Sequence, residues 1–197
     1  MDRKIKQVRH VTTQLQTRAR DDSEMHIEGY FIVFNRETEL WPGAFEEVAP
    51  EALDGLGKTM GLDVKALNNH DPKLVLGRTK AGTLKLKVDE HGLWGDITIN
   101  PNDSDAVNLY ERVKRGDIDQ CSFGFNITSE ETEWRDDGTV KWRITGLDLH
   151  EVSVVTFPAY EDTGVQARKE AVEQHRERLL EARKIKLKER LRACLDS

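Results

Sequence analysis

The feature that most constrains the fold is an alternation of apolar and polar residues, with a period of two, through the middle of the chain. Aromatic and β-branched residues fill GYFIVFN (29–35), and TLKLKVDEHGLWGDITI (83–99) alternates on both sides of a turn at His91 and Gly92. Residues 122–128 and 140–144 continue the pattern. A period of two is typical of strands that bury one face. The chain is therefore predicted to be mainly β with helices (α+β), built on an antiparallel sheet or barrel.

Two segments have helical spacing instead. In residues 103–118, the apolar side chains recur every three or four positions, Asp103 or Ser104 can cap the start, and Gly116 can end the helix. Residues 167–197 lack Gly, Pro and aromatic residues and carry a charge of about +4, against about −10 for the rest of the chain. Leucines at spacings near three, four and seven predict a long amphipathic C-terminal helix. It is either a solvated helix with a narrow packing stripe or a docking and self-association helix.

These patterns divide the chain into a mobile N-terminal arm (1–24), a folded domain (25–166) and the charged helix (167–197). No stretch approaches the roughly 20 apolar residues of a membrane span, and the first residues lack the apolar core of a secretory signal. With a net charge of −6, a nucleic-acid role would need a local basic patch. Two cysteines, Cys121 and Cys194, form neither a disulfide framework nor a zinc motif. No membrane, specific nucleic acid, cofactor or metal is expected.

One candidate for chemistry is His70, in LNNHDP (67–72) followed by LGR (76–78). Pro72 disfavours helical geometry at Asp71, so His70 is expected at the end of an extended segment. A lone histidine is more often structural than catalytic. His70 therefore needs partners before a role can be assigned.

A second candidate lies in QCSFGFN (120–126). On a strand, Cys121 faces the apolar side with Phe123 and Phe125, whereas Ser122 and Gly124 face the other side. Cys121 is therefore interpreted as a core residue rather than a nucleophile. Gly124 is expected to leave space above the sheet for a peptide backbone.

The third segment, LDLHEVSVVTFPAY (147–160), is typical of a buried strand, in which an ionisable side chain needs a partner. On a regular strand only one of His150 and Glu151 can point into a given site. A carboxylate bonded to His70 would fix its tautomer and stabilise its protonated form when the other ring nitrogen takes a proton from Ser122. The residues thus allow a serine hydrolase triad in the order His, Ser, acid.

Together, NNHDP with LGR, GDIDQCSFGF and LDLHEVSVVTFPAY resemble the capsid-maturation (prohead) serine proteases of tailed phages, distant relatives of the herpesvirus assemblins. The resemblance covers about residues 25–166. It implies a closed antiparallel β-barrel of the herpesvirus-protease type, surrounded by helices. It also implies an endopeptidase that cleaves scaffold and major capsid protein segments, and commonly itself, inside the procapsid in the host cytoplasm. Such an enzyme self-associates and is absent from mature virions.

Within this resemblance, His70 corresponds to the general base, Ser122 to the nucleophile and Glu151 to the third triad member. The herpesvirus relatives carry a histidine at the third position, so His150 remains the alternative to Glu151. The oxyanion donor is open between a backbone amide near Phe123 and the side chain of Arg78.

Two rival functions remain. A non-enzymatic capsid or scaffold-interaction protein would use the charged helix and leave the β domain inert. A metal-dependent hydrolase would use His70, Asp71 and Glu151, although no HxH or HExxH motif supplies a second pair of ligands.

Overall fold

The computed structural model describes residues 6–11, 15–20, 24–56, 63–157 and 163–195. Within these residues the chain forms eleven strands, two α-helices and short 3₁₀ turns at Pro50–Leu53 and Thr79–Ala81. The strands are β1 (Gln7–Val11), β2 (Gln16–Arg20), β3 (Glu24–Val33), β4 (Thr38–Trp41), β5 (Ala44–Val48), β6 (Lys65–Asn68), β7 (Asp71–Arg78), β8 (Leu84–Val88), β9 (Gly92–Thr98), β10 (Gln120–Trp134) and β11 (Val140–Val155). The helices are α1 (Ser104–Arg115) and α2 (Thr163–Leu195).

The strands pair into two sheets. The larger has the order β1-β10-β11-β5-β4, with β6 also pairing with β11 and β7 with β6. The smaller has the order β2-β3-β9-β8. A parallel bridge between Phe34 and Val48 joins the two sheets at one point.

The prediction of a mainly β protein with a few helices is confirmed. The prediction of purely antiparallel pairing is wrong, because β5 and β6 both run parallel to β11. Parallel neighbours need a long crossover, and β7–β10 with α1 supply it here. The described pairings form two sheets, and closure into a barrel stays a prediction.

The hydrophobic core lies between the sheets and is covered by α1. Phe31, Ile97 and Phe123 are among its fully buried side chains. Helix α1 has the predicted ends: the Asp103 carboxylate accepts from the amides of the first turn, and Gly116 ends the helix in the left-handed conformation at φ 86°. Buried residues of α1 lie on the face that packs against this core.

Both ends of the chain differ from the sequence-based division. Residues expected in a mobile arm form β1 and β2, which pair with β10 and β3. The charged helix is present, but its start packs on the β domain rather than extending from it: Arg168 and Val172 are each 2% exposed. The apolar residues farther along α2, Leu179, Leu180 and Leu187, are exposed. None of the helices in the described ranges is long and apolar enough to cross a membrane.

Candidate active site

His70 lies in the two-residue turn that joins β6 to β7. Asn69 and His70 both have positive φ angles, 50° and 59°, which is typical of a type I′ hairpin turn. Asparagine adopts this conformation readily, but histidine does so at a cost, and such strain concentrates at functional sites. The extended segment predicted beside His70 is present, since Asn68 at the end of β6 pairs with Asp71 at the start of β7.

The turn is held against β11 by Asn69. Its backbone amide donates to the Val154 carbonyl (2.9 Å), and its side-chain oxygen accepts from the Thr156 amide (2.8 Å). These bonds continue the parallel β6–β11 pairing by one residue. They fix the backbone from which the His70 ring projects.

The His70 ring bonds a buried carboxylate. Nδ1 lies 2.7 Å from Oε1 of Glu151 on β11, and Glu151 is 3% exposed. The Ser153 hydroxyl donates to the other carboxylate oxygen at 2.7 Å and lies 3.2 Å from the same ring nitrogen. With an Nδ1 proton donated to Glu151, Nε2 is the ring nitrogen that can accept a proton.

Glu151 is stabilised as a carboxylate. Burial alone raises the pKa of this side chain, but the hydrogen bonds from His70 and Ser153 and the positive charge of Lys6 outweigh burial and lower the pKa below its ordinary value. The Lys6 ammonium lies 3.2 Å from Oε1. At neutral pH the site therefore contains a negative charge aimed at the imidazole.

Ser122 lies on the face that carries Glu151. It is the direct partner of Ser153 in the antiparallel β10–β11 ladder, and Gly124 is the partner of Glu151. Residues directly opposite one another project from the same face of a sheet. Ser122 is fully buried, and its hydroxyl donates to the Arg9 carbonyl at 2.8 Å.

Gly124 makes room for the carboxylate. A Cβ at this position would lie 2.3 Å from Glu151 Oε1 and 2.5 Å from the Lys6 side chain. The sequence-based interpretation placed an approaching peptide backbone above Gly124. In the structure the Glu151–Lys6 ion pair fills that space.

The alternatives named from the sequence lie elsewhere. His150 is exposed, whereas Glu151 is buried on His70. The Arg78 guanidinium is paired with Asp63, with donor–acceptor distances of 2.6 and 2.7 Å. Cys121 is fully buried in the core, and its thiol contacts the Tyr30 carbonyl.

The geometry also bears on the metal-dependent alternative. The Asp71 carboxylate accepts the backbone amide of Lys73 at 2.8 Å. Within the described ranges, no group of three or more His, Cys, Asp or Glu side chains is arranged to hold a metal ion. Asp71 therefore does not join His70 and Glu151 in a three-ligand group.

The sequence analysis did not identify two residues that contact the Glu151 carboxylate, Ser153 and Lys6. Ser153 could have been found, because it lies two residues after Glu151 on the same strand and thus on the same face. Lys6 gave no local signal, since its proximity depends on β1 pairing with a strand more than one hundred residues away.

The comparison with protein families agrees with the motifs. A family model described as caudovirus prohead serine protease matches residues 13–178. The prohead protease of Enterobacteria phage HK97 is 28% identical over 153 residues, which are 76% of this chain and 62% of that protein. The match to the structure of the bacteriophage T4 capsid assembly protease covers 78% of this chain and 97% of the T4 protease chain, at 13% sequence identity and a TM-score of 0.48.

Proposed function

Since this chain belongs to the caudovirus prohead serine protease family, we propose that it is a serine endopeptidase with Ser122, His70 and Glu151 as its triad. The observation that carries the assignment is the buried Glu151–His70 hydrogen bond on the sheet face that bears Ser122. His70 is held there by a strained turn fixed to β11. This arrangement matches the roles of an acid, a base and a nucleophile.

In the proposed reaction, His70 Nε2 takes the Ser122 proton as Oγ attacks the carbonyl carbon of a peptide bond. The resulting imidazolium then gives its proton to the leaving amine, and water hydrolyses the acyl-enzyme by the same steps. In the structure the Ser122 hydroxyl donates to the Arg9 carbonyl. For catalysis the hydroxyl exchanges this acceptor for His70.

Glu151 contributes its charge. The imidazolium forms only along the reaction path, so a buried carboxylate 2.7 Å from Nδ1 stabilises the transition state more than the ground state. Ser153 positions that carboxylate by bonding its second oxygen. We assign the third triad position to Glu151 rather than His150 on this geometry.

The substrates we propose are segments of the major capsid protein and of the scaffold, cleaved inside the procapsid, together with the chain itself. The enzyme would act in the host cytoplasm, self-associate and leave before the virion matures. The chain spans about 62% of the length of the HK97 prohead protease that it matches. We also infer that the two sheets form the closed barrel of the assemblin type.

The competing proposal is a non-enzymatic capsid or scaffold-interaction protein, which gives no reason for the Glu151–His70 pair. The test is coexpression of the full chain with its capsid and scaffold proteins, followed by intact-mass measurement. Ser122→Ala should abolish all shortened products. Ser129→Ala, which removes an exposed hydroxyl on the same strand, should leave them. Identical products from Ser122→Ala and the unchanged chain would refute the serine protease assignment.

A further inference from the structure

The distal part of α2 is exposed and carries a narrow apolar stripe. At its start the helix is fixed to the β domain, where the Arg168 guanidinium bonds the buried Glu46 carboxylate. Farther along, Leu180 and Leu187 are 55% and 58% exposed. Residues seven apart lie on one face of a helix, and Leu191 continues the spacing in the sequence. This leucine stripe has the period of a helix-pairing seam, and the described part of the chain leaves Leu180 and Leu187 largely uncovered.

Positive side chains flank the leucine stripe. When Leu180 and Leu187 take position d of a heptad, Arg183 takes position g, Lys184 position a and Lys188 position e. All three cations are exposed. Residues 178–192 contain seven lysines and arginines but only two glutamates. Positions e and g set the choice of partner in paired helices, because their charges face the other helix. The stripe therefore favours a partner with negative charges at these positions.

The same charges disfavour pairing of this stripe with a second copy of the chain. In a parallel pair of helices, position g of one faces position e of the other, so Arg183 would lie against a lysine. Two copies of Lys184 would also meet at position a. In an antiparallel pair, position g faces position g, which sets Arg183 against an arginine. Like charges at these positions cost affinity, so self-association of the chain is expected to use another surface.

Nucleic acids and anionic membranes also attract lysine and arginine, but they fit the rest of the helix less well. Contacts to a phosphate backbone depend on cations and leave a leucine stripe exposed. Helices that lie in a membrane surface bury a face that contains Trp, Phe and Leu. Residues 167–197 contain no Trp, Phe or Tyr. An acidic amphipathic helix would cover the leucines and neutralise the cations at the same time.

We propose that residues 180–188 of α2 are a docking surface for an acidic amphipathic helix of another protein. The partner helix pairs along the leucine stripe and places its carboxylates on Arg183, Lys184 and Lys188. Where the partner also carries a segment that the chain cleaves, docking raises the effective concentration of that segment at the active site. That consequence rests on the proposed function, whereas the docking itself needs no catalytic group.

The test measures binding of synthetic helices to the full chain carrying Ser122→Ala, so that α2 stays intact whatever the active chain does to itself. The probe is a 28-residue peptide of about four EIAALEE heptads, which has glutamate at positions e and g. A KIAALKK peptide of the same length and apolar pattern is its control. The acidic peptide should bind at least about tenfold more tightly than the basic one, and its affinity should fall as salt rises. Amide hydrogen exchange in residues 180–188 should slow when the acidic peptide is bound.

Charge reversal tests the flanking cations. Arg183→Glu combined with Lys188→Glu should weaken binding of the acidic peptide about tenfold and create binding of the basic peptide. Arg178→Glu combined with Lys186→Glu makes the same change of charge at exposed positions b and c of the same helix, away from the stripe. This control should bind the acidic peptide within about twofold of the parent.

A matched pair of substitutions tests the stripe itself. Leu187→Gln should weaken binding of the acidic peptide about tenfold, because it removes apolar area that the partner would bury. Ile185 is 55% exposed, close to the 58% of Leu187, but it lies on another face of the helix. Ile185→Gln should therefore leave the affinity unchanged. Circular dichroism of each variant checks that α2 remains helical, and the comparison of the two peptides requires no substitution in α2.

Three results would overturn the proposal. One is equal binding, or no binding, of the acidic and basic peptides. Another is an equal loss in the stripe variants and in their controls. The third is tighter binding to a duplex DNA or to vesicles containing phosphatidylserine than to the acidic peptide, which would assign the cations to a phosphate partner. Failure of the unchanged chain to cleave any protein would refute the proposed function and leave this docking surface standing.

Discussion

Glu151→Gln is the substitution that separates the charge of Glu151 from its shape. Glutamine retains an oxygen that can accept from His70 and an amide group that fills the space beside Gly124. It removes the negative charge that lies 2.7 Å from Nδ1. The Lys6 ion pair is lost as well, but the Lys6 side chain is 46% exposed, so water can solvate the ammonium.

The size of the effect follows from the electrostatics of the pair. Two unit charges about 4 Å apart attract by about 4 kcal/mol at the effective dielectric constant of about 20 that suits protein sites. That attraction exists only when His70 is protonated during the reaction. Each 1.36 kcal/mol is a factor of ten in rate, so kcat should fall about 10³-fold with little change in KM.

The assay follows hydrolysis of a peptide whose cleavage is first mapped by mass spectrometry of the coexpression products. Glu111→Gln makes the same chemical change at an exposed glutamate of α1 and should leave kcat unchanged. His150→Gln should also be mild, because His150 is exposed. A loss in Glu151→Gln below about tenfold, or one confined to KM, would contradict the role given to its charge. A larger loss in His150→Gln would transfer the third position to that residue.

The remaining predictions concern packing, acid stability and the tail. Gly124→Ala should displace the Glu151 carboxylate and lower kcat about 10²-fold while the chain stays folded; full activity with unchanged circular dichroism would contradict the close fit. Cys121→Ala should retain activity and lose about 1 kcal/mol of unfolding free energy in urea titrations, whereas complete inactivation of a folded variant would revive a thiol nucleophile. For Glu46, whose pKa is lowered from 4.5 on folding, the stabilising contribution is present above about pH 4.5 and is lost as the pH falls through the folded value. The difference in Tm between the unchanged chain and Glu46→Gln should therefore shrink on acidification below about pH 4.5, and a constant difference from pH 3 to 7 would refute the linkage. Deleting residues 178–197 keeps the packed start of α2, so it should leave peptide cleavage measurable but lower incorporation into proheads; normal incorporation would show that the distal helix is not a targeting segment.

Local patterns predicted part of the secondary structure of the β domain. The hairpin around His91 and Gly92, the α1 caps at Asp103 and Gly116, and the alternation that buries Cys121 all depend on neighbours within a few residues. Phe123 and Phe125 stack at 4.8 Å, as residues two apart on one face should. Such features depend on backbone geometry that the nearby sequence sets directly.

Long-range pairing could not be predicted in the same way. Nothing in residues 7–11 indicates that they pair with β10. This pairing depends on which strand edge the rest of the sheet leaves open, and that edge is formed by residues far away in the sequence. The parallel pairing of β6 with β11 is equally non-local, although it brings His70 to Glu151. The motifs suggested which residues would meet at the site, and the sheet order explains how they meet.

Glu46 has a consequence for how the two ends of the chain influence each other. Its carboxylate bonds Arg9 from β1 and also Arg168 from α2, and the Arg168 guanidinium in turn bonds Glu130 and lies 4.6 Å from the Trp142 ring centroid. Two cations that share one buried anion cannot change independently. Thermodynamic linkage is reciprocal. The free energy by which the Arg168–Glu46 contact changes the stability of β1 pairing therefore equals the free energy by which β1 pairing changes the stability of that contact. Through Glu46, the stability of β1 and the stability of the packed start of α2 are therefore coupled, although the two segments lie far apart in the sequence.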